Sequence, residues 1–296
     1  ILFNNSAVLF RYLLIINIIF TRLVIGSDKK NQSYFDCPCP HIIAHQGASL
    51  ELPPNTIEAF QLALDYGADI IELDIWRSMD GVWVVIHDGN LLRIAGVNKD
   101  ITQMPLKEIQ SLDAAYNFSD SSGNYLYRDR GYKIPSLEEV FKNFKNEKIN
   151  IEIKDHRKLG LSDLVELVKK YDMEHKTLFI SSHYTVLKEF RKISKNKIAT
   201  GASKSDIKRM IYFGNLPWYK IPFDAFQMPF YSKKVKRYGL KNPKWIENIR
   251  SKGLEVHYWT IDNYEDIKKA FSIGASGVIT NRPKVAYELL AQMGKR

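Results

Sequence analysis

From His41 onward, short runs of β-branched and aliphatic residues alternate with longer stretches whose apolar positions recur every three or four residues. The short runs are HIIAH, DIIELDI, INIEIK, TLFISS, KIATGA, DAFQMPF, LEVHYWTI and SGVITN. They read as strands of a parallel sheet, which is buried on both faces. The stretches between them, such as TIEAFQLALDYG, LSDLVELVKKYDM and NYEDIKKAFSIG, carry the period of amphipathic helices. Eight strand–helix units in about 250 residues predict an α/β fold of the (β/α)8 TIM barrel type. A doubly wound open sheet would bring a G-x-G-x-x-G turn after its first strand, and none follows HIIAH.

A ninth run, VWVVIH, follows Asp80-Gly81, a hairpin signal. It is predicted to pair antiparallel with the second strand above the barrel mouth and to bring His87 level with Asp74. Residues 88–135 then form a long, polar, tyrosine-containing insertion ahead of the helix SLEEVFKNF. Loops of that length inside a domain are usually functional.

Upstream of His41 the pattern changes. Residues 7–26, AVLFRYLLIINIIFTRLVIG, are apolar but interrupted by Arg11, Asn17 and Arg22. Residues 1–26 therefore read as a signal peptide or a membrane anchor, which would place the protein on the membrane or export it to the cell envelope. Residues 27–40 are polar and end in proline, the composition of a linker, so the barrel is expected over 41–296.

Composition narrows this little: 45% hydrophobic and 26% charged residues over 296 positions is ordinary for a globular chain and excludes disordered and fibrous classes. Cys37 and Cys39 are badly spaced to bridge each other and too few for a zinc site. The net charge of +10 points to an anionic partner, such as a phosphate group or a lipid surface. No nucleic-acid-binding motif accompanies it, and no obligate protein partner is evident. Six basic residues lie between Lys233 and Lys244, after the sixth strand, where they would face an anionic membrane or form a solvated face.

In a barrel, chemistry sits at the C-terminal ends of the strands. The first strand ends in His45-Gln46-Gly47, the second carries Glu72 and Asp74, the third Glu152 and Lys154, and the seventh ends in Trp259-Thr260-Ile261-Asp262. Residues two apart in a strand share a face, so Glu72 and Asp74 point together, as do Glu152 and Lys154. Several carboxylates turned into a barrel need a cation, and an all-oxygen set suits Mg2+ or Ca2+. His87 stands before Asp88 at a strand end, and Trp259 offers a flat surface for an organic group. Cys37, His41, His156, His175, His183 and His257 show no partner pattern and read as structural or solvated.

The segments HQGAS with PPNT, GADIIELDI, DGVWVVIHD, KIPSLEEVF, INIEIK, VHYWTID and GASGVITNRP are similar, in order and spacing, to those of the glycerophosphodiester phosphodiesterases. The resemblance spans about residues 41–288, and the 88–135 insertion looks like that of bacterial members from membranes and cell surfaces. It implies metal-dependent hydrolysis of glycerophosphodiesters to glycerol 3-phosphate and an alcohol, or of lysophospholipids by phospholipase D-type cleavage. His45 and His87 match the acid–base pair, Glu72, Asp74 and Glu152 the metal ligands, and Lys154 a phosphate contact. Trp259 would pack on the alcohol moiety. The family usually has arginine at Gln46 and glutamate at Pro54. A neutral glutamine in place of a guanidinium costs about 1.5–3 kcal/mol at a phosphate. Two alternatives follow: a sphingomyelinase D-like phospholipase, or a phosphodiester-binding protein with impaired catalysis.

Overall fold

The computed structural model describes residues 32–37, 39–216 and 218–296; the segment read as signal peptide or anchor over 1–26 lies outside them. Nine strands form one sheet: β1 (His41–His45), β2 (Ile70–Arg77), β3 (Trp83–Val85), β4 (Lys148–Ile153), β5 (Thr177–Ile180), β6 (Ala199–Thr200), β7 (Ala225–Pro229), β8 (Glu255–Trp259) and β9 (Gly277–Thr280). Eight are parallel neighbours in the order β6-β5-β4-β2-β1-β9-β8-β7, and β3 pairs with β2 off this path. A bridge between Gly201 and Ala225 joins the two ends, supported by the Ala202 N–H donating to Ala225 O at 2.8 Å. The result is a nearly closed (β/α)8 barrel, as the alternation of runs predicts.

The period-two alternation of each strand divides its side chains between mantle and lumen. Outward residues pack under the helices in two large apolar clusters. Inward, Ile43, Ile70, Leu178, Ala199, Ala225 and Ile279 form an apolar plug with Tyr34. Two residues further along β1, β2 and β9 stand His45, Glu72 and Asn281, on the C-terminal side of that plug.

Three expectations change. Residues 27–40 are not linker throughout: Gln32–Phe35 form a 3-10 turn whose Tyr34 is buried in the plug, because the open floor of the barrel offers apolar area that an aromatic ring can cover. The hairpin register differs by one. Ile75, Trp76 and Arg77 face Val85, Val84 and Trp83, so Ile86, whose N–H donates to Asp74 O at 2.9 Å, stands level with Asp74 instead of His87. The turn is longer than the two residues that Asp80-Gly81 suggested. Ser78 Oγ accepts from Val82 N–H at 2.9 Å and donates to Asp80 at 2.6 Å, which centres an odd-numbered loop on Asp80. Finally, the 88–135 insertion is more than a polar loop. It contains helical turns at Leu92–Ala95, Ile101–Gln103 and Leu106–Ile109, and Leu91, Ile101, Met104 and Ile109 build a small core with Val84 and Ile86.

Candidate active site

The C-terminal end of β1 turns sharply. Gln46 and Gly47 take left-handed backbones, with φ of 56° and 84°, and a Cβ on Gly47 would lie 2.6 Å from the carbonyl carbon and oxygen of Ala59. The turn aims Gln46 at the second strand: its N–H donates to Glu72 Oε2 at 3.1 Å and its side-chain amide to Asp74 Oδ2 at 2.7 Å. Asn55, also left-handed at φ 61°, reaches the same carboxylate with Nδ2 at 3.3 Å and accepts from the Asp74 N–H at 3.4 Å. The cap of the following helix is Thr56, whose side chain accepts from Ala59 N–H. Asn55 is therefore a site residue that strand-end reasoning misses. A small amide after two prolines, tolerant of left-handed φ, is the available signal.

Glu72, Asp74 and Glu152 converge, with one oxygen of each within 4.8 Å of the others. Register explains it, since β2 and β4 pair Asp74 with Glu152 directly. Glu72 and Asp74 are buried. Burial first, then the charges of Asp74 and Glu152, raises the Glu72 carboxyl well above the ordinary range. Lys154 Nζ stands 2.8 Å from Glu152 and 3.1 Å from Asp74. Burial pulls its pKa down, but the two carboxylates outweigh that and hold it above the usual lysine value. One ammonium cannot neutralise three carboxylates. Asp74 Oδ1 has the Lys154 ammonium at 3.1 Å and no other partner among the described residues. The donor set therefore fits a hard divalent cation.

The two histidines reach the mouth differently. His45 is level with Glu72 across β1 and β2, and its Nδ1 lies 2.7 Å from Asn281 Oδ1. Asn281 Nδ2 donates to Asp262 Oδ2 at 2.7 Å, and its N–H to Asp262 Oδ1 at 2.7 Å. The oxygen of Asn281 is thus the end facing His45, so Nδ1 carries the proton and Nε2 is left open. His87 follows β3, with Nδ1 2.7 Å from Asp88 Oδ1, and Trp76 Nε1–H holds its carbonyl at 3.0 Å. Burial alone would raise the Asp88 carboxyl, but Arg93 and His87 bring it below the usual range. Asp88 is then an anion that accepts a hydrogen bond from the Nδ1–H of His87, which again leaves Nε2 open. Trp259, at the end of β8, is 43% exposed on the rim.

The structure thus brings Gln46, Glu72, Asp74, Glu152 and Lys154 into one hydrogen-bonded and ion-paired group, with His45 beside it. His87 stands on the hairpin, tied to Asp88 and not to the carboxylates, and Trp259 marks the rim. Asn281 and Asp262, which orient His45, join Asn55 as residues the strand-end reading did not assign.

A glycerophosphodiester phosphodiesterase of Caldanaerobacter subterraneus subsp. tengcongensis is 31% identical over 263 residues, covering 86% of this chain and 98% of that protein. A human lysophospholipase D is 30% identical over 268 residues, covering 81% and 83%. The crystal structure of a glycerophosphodiester phosphodiesterase from Agrobacterium tumefaciens superposes with a TM-score of 0.69 at 25% identity, over 84% of this chain and 99% of that one. The model of the glycerophosphoryl diester phosphodiesterase family matches residues 45–285, a span that runs from the histidine ending β1 past Asn281, and the chain belongs to that family.

Proposed function

We propose that the protein is a metal-dependent phosphoric diester hydrolase that cleaves glycerophosphodiesters to glycerol 3-phosphate and an alcohol, with lysophospholipids as a second substrate class. The observation that carries this reading is the Glu72–Asp74–Glu152 cluster, its first two members buried, beside an oriented histidine. It is supported by relatives named as a glycerophosphodiester phosphodiesterase and a lysophospholipase D.

Glu72, Asp74 and Glu152 would hold Mg2+ or Ca2+, which when bound supplies Lewis-acid polarisation of the phosphoryl oxygens. Lys154 offsets the remaining phosphate charge. Gln46 spends its amide on Asp74, so its first effect is to orient a ligand, and the phosphate charge falls to Lys154. His45, backed by the neutral amide of Asn281, suits the acceptor of the nucleophile's proton through Nε2. His87, held by Asp88 through Nδ1, presents Nε2 and suits the donor to the leaving alkoxide. Trp259 gives the alcohol or glycerol moiety a flat apolar surface.

The test is release of glycerol 3-phosphate by the full chain from a glycerophosphodiester, and of free alcohol from a lysophospholipid, with Mg2+, with Ca2+ and with a chelator. Release should require the metal, vanish in Glu72→Ala, and fall by about 10²–10⁴-fold when either histidine becomes alanine. Undiminished turnover in the His45→Ala His87→Ala double variant would sink the assignment of the pair. Metal binding without release of either product would leave only a binding protein.

A further inference from the structure

At the other end of the lumen, below the apolar plug, a second set of ligand atoms converges. One atom each of His41, Glu255 and His257 lies within 4.8 Å of the other two. Strand register assembles them: His41 of β1 and His257 of β8 both pair with Gly277 of β9, and Glu255 shares the inward face two residues before His257. Gly277 is the gap between the imidazoles. A Cβ there would lie 2.9 Å from His257 Cδ2 and 3.1 Å from His41 Cβ. Without one, the ring centroids stand 5.7 Å apart.

Several polar atoms of this pocket have no hydrogen-bond partner among the described residues. His41 and His257 are 1% and 0% exposed. Among the described residues, no hydrogen bond of normal geometry reaches either nitrogen of His41, Nε2 of His257 or Oε2 of Glu255, although the Cys37 backbone lies near the His41 ring. Native interiors rarely leave such groups unpaired, and here one ligand atom from each of three such residues converges within 4.8 Å. Burial, with Lys148, Arg296 and Arg250 nearby, keeps His41 neutral in spite of the Cys37 backbone. Burial, with His41 and Arg250, does the same for His257.

We propose that His41, Glu255 and His257 form a second metal site of the zinc type, separate from the carboxylate cluster, which fastens β1 to β8 across the glycine of β9. Two nitrogens and one carboxylate oxygen select a borderline ion such as Zn2+ or Co2+. A hard ion is disfavoured, because Mg2+ and Ca2+ need more oxygens than this set offers. Glu255 is half-buried and gives a route to solvent for a water in the fourth position. The carboxamide of Gln227 stands 3.3 Å from His257 Nδ1, and that of Asn150 lies 3.2 Å beyond. As placed, Asn150 Nδ2 donates to Gln227 Oε1 and Gln227 Nε2 faces Nδ1; metal binding through Nε2 calls for both amides to turn over, so that Gln227 Oε1 accepts from Nδ1–H. The Phe35 ring, with its centroid 6.3 Å from that of His41 and 6.2 Å from that of His257, closes the apolar side.

The probe is Co2+, titrated into the full chain carrying Glu72→Ala and Glu152→Ala, which removes the upper cluster, and followed by visible d–d absorption. One equivalent should bind, with bands that Zn2+ abolishes and excess Mg2+ leaves intact. Affinity should fall roughly tenfold to a hundredfold when Glu255→Gln, His257→Ala or Gly277→Ala is added. The same three substitutions in the otherwise native chain should leave Mg2+-supported hydrolysis in place, so failure here is distinguishable from failure of the hydrolase assignment. If His257→Ala does not fold, the half-exposed Glu255→Gln decides. No Co2+ bound in the carboxylate variant, or binding unchanged by Glu255→Gln and Gly277→Ala together, overturns the proposal.

Discussion

Glu72 carries the electrostatic problem of the site in one side chain. Its carboxyl is buried beside Asp74 and Glu152, and its pKa is raised well above the ordinary 4.5, by burial first and then by those two charges. A raised acid in the folded, metal-free protein keeps its proton over a range in which the unfolded chain has lost it. Metal-free stability contributed by this group therefore falls as pH rises from about 4.5 through the folded pKa. Glu72→Gln removes that loss. After chelation the variant should melt above the native chain at pH 7–8, by about 2–4 °C for each kcal/mol recovered, and the two should coincide near pH 4. Added Mg2+ should raise only the native melting temperature. A native chain whose chelated form gains stability with pH, in parallel with the variant, would contradict this account. The carboxylates themselves were legible, because two-residue spacing inside an apolar run has one geometric meaning. Asn55 and Asn281 were not, since the first depends on a left-handed loop and the second on strands separated by most of the chain. The His41–Glu255–His257 set was invisible for the second reason.

Strands and helices were legible because each is a local pattern: apolar runs for the eight parallel strands, and apolar positions recurring every three or four residues for the helices between them. Connections were less so, because their register is set by tertiary hydrogen bonds such as Asp80 to Leu106 N–H at 3.1 Å. That bond belongs to the loop that moved His87 one position past its expected partner. Among the connections, the turn from β1 to the helix Ile57–Asp65 controls the site most directly. Gly47 has φ 84° and no room for a side chain against the Ala59 backbone. Gly47→Ala should cost about 1–2 kcal/mol from the left-handed backbone alone, with the clash adding to it. Moving the turn also withdraws the Gln46 N–H from Glu72 and its amide from Asp74. Calorimetry should therefore show a lower melting temperature, and a Mg2+ titration a weaker affinity than in the native chain. A variant with lowered stability but native Mg2+ affinity would show that the turn does not position the ligands.

The whole molecule has two ends and a net charge of +10. Chemistry gathers at the C-terminal end of the strands, and the helix Lys233–Arg237 follows β7 at that end with its buried Val235 turned inward. That leaves Lys233, Lys234, Lys236 and Arg237 exposed, with the exposed rings of Tyr231, Tyr238 and Trp259 at the same end of the barrel. Basic side chains contribute about 1 kcal/mol each at an anionic bilayer, so four amount to about 4 kcal/mol, close to a thousandfold in partitioning. A lysophospholipid would then meet the mouth from a surface that the same end of the protein already holds. The full chain should cosediment with vesicles containing phosphatidylserine and not with neutral ones, and the difference should collapse in about 0.5 M salt as the screening length shrinks to a few ångströms. Charge reversal by Lys234→Glu and Lys236→Glu should reduce anionic binding by about a hundredfold or more, while leaving turnover of a soluble glycerophosphodiester near native. Equal binding to both kinds of vesicle would assign membrane contact to apolar groups instead. Loss of soluble turnover in the charge-reversed chain would make the helix part of the substrate site, because a remote basic patch has no direct contact through which to change kcat on a soluble substrate.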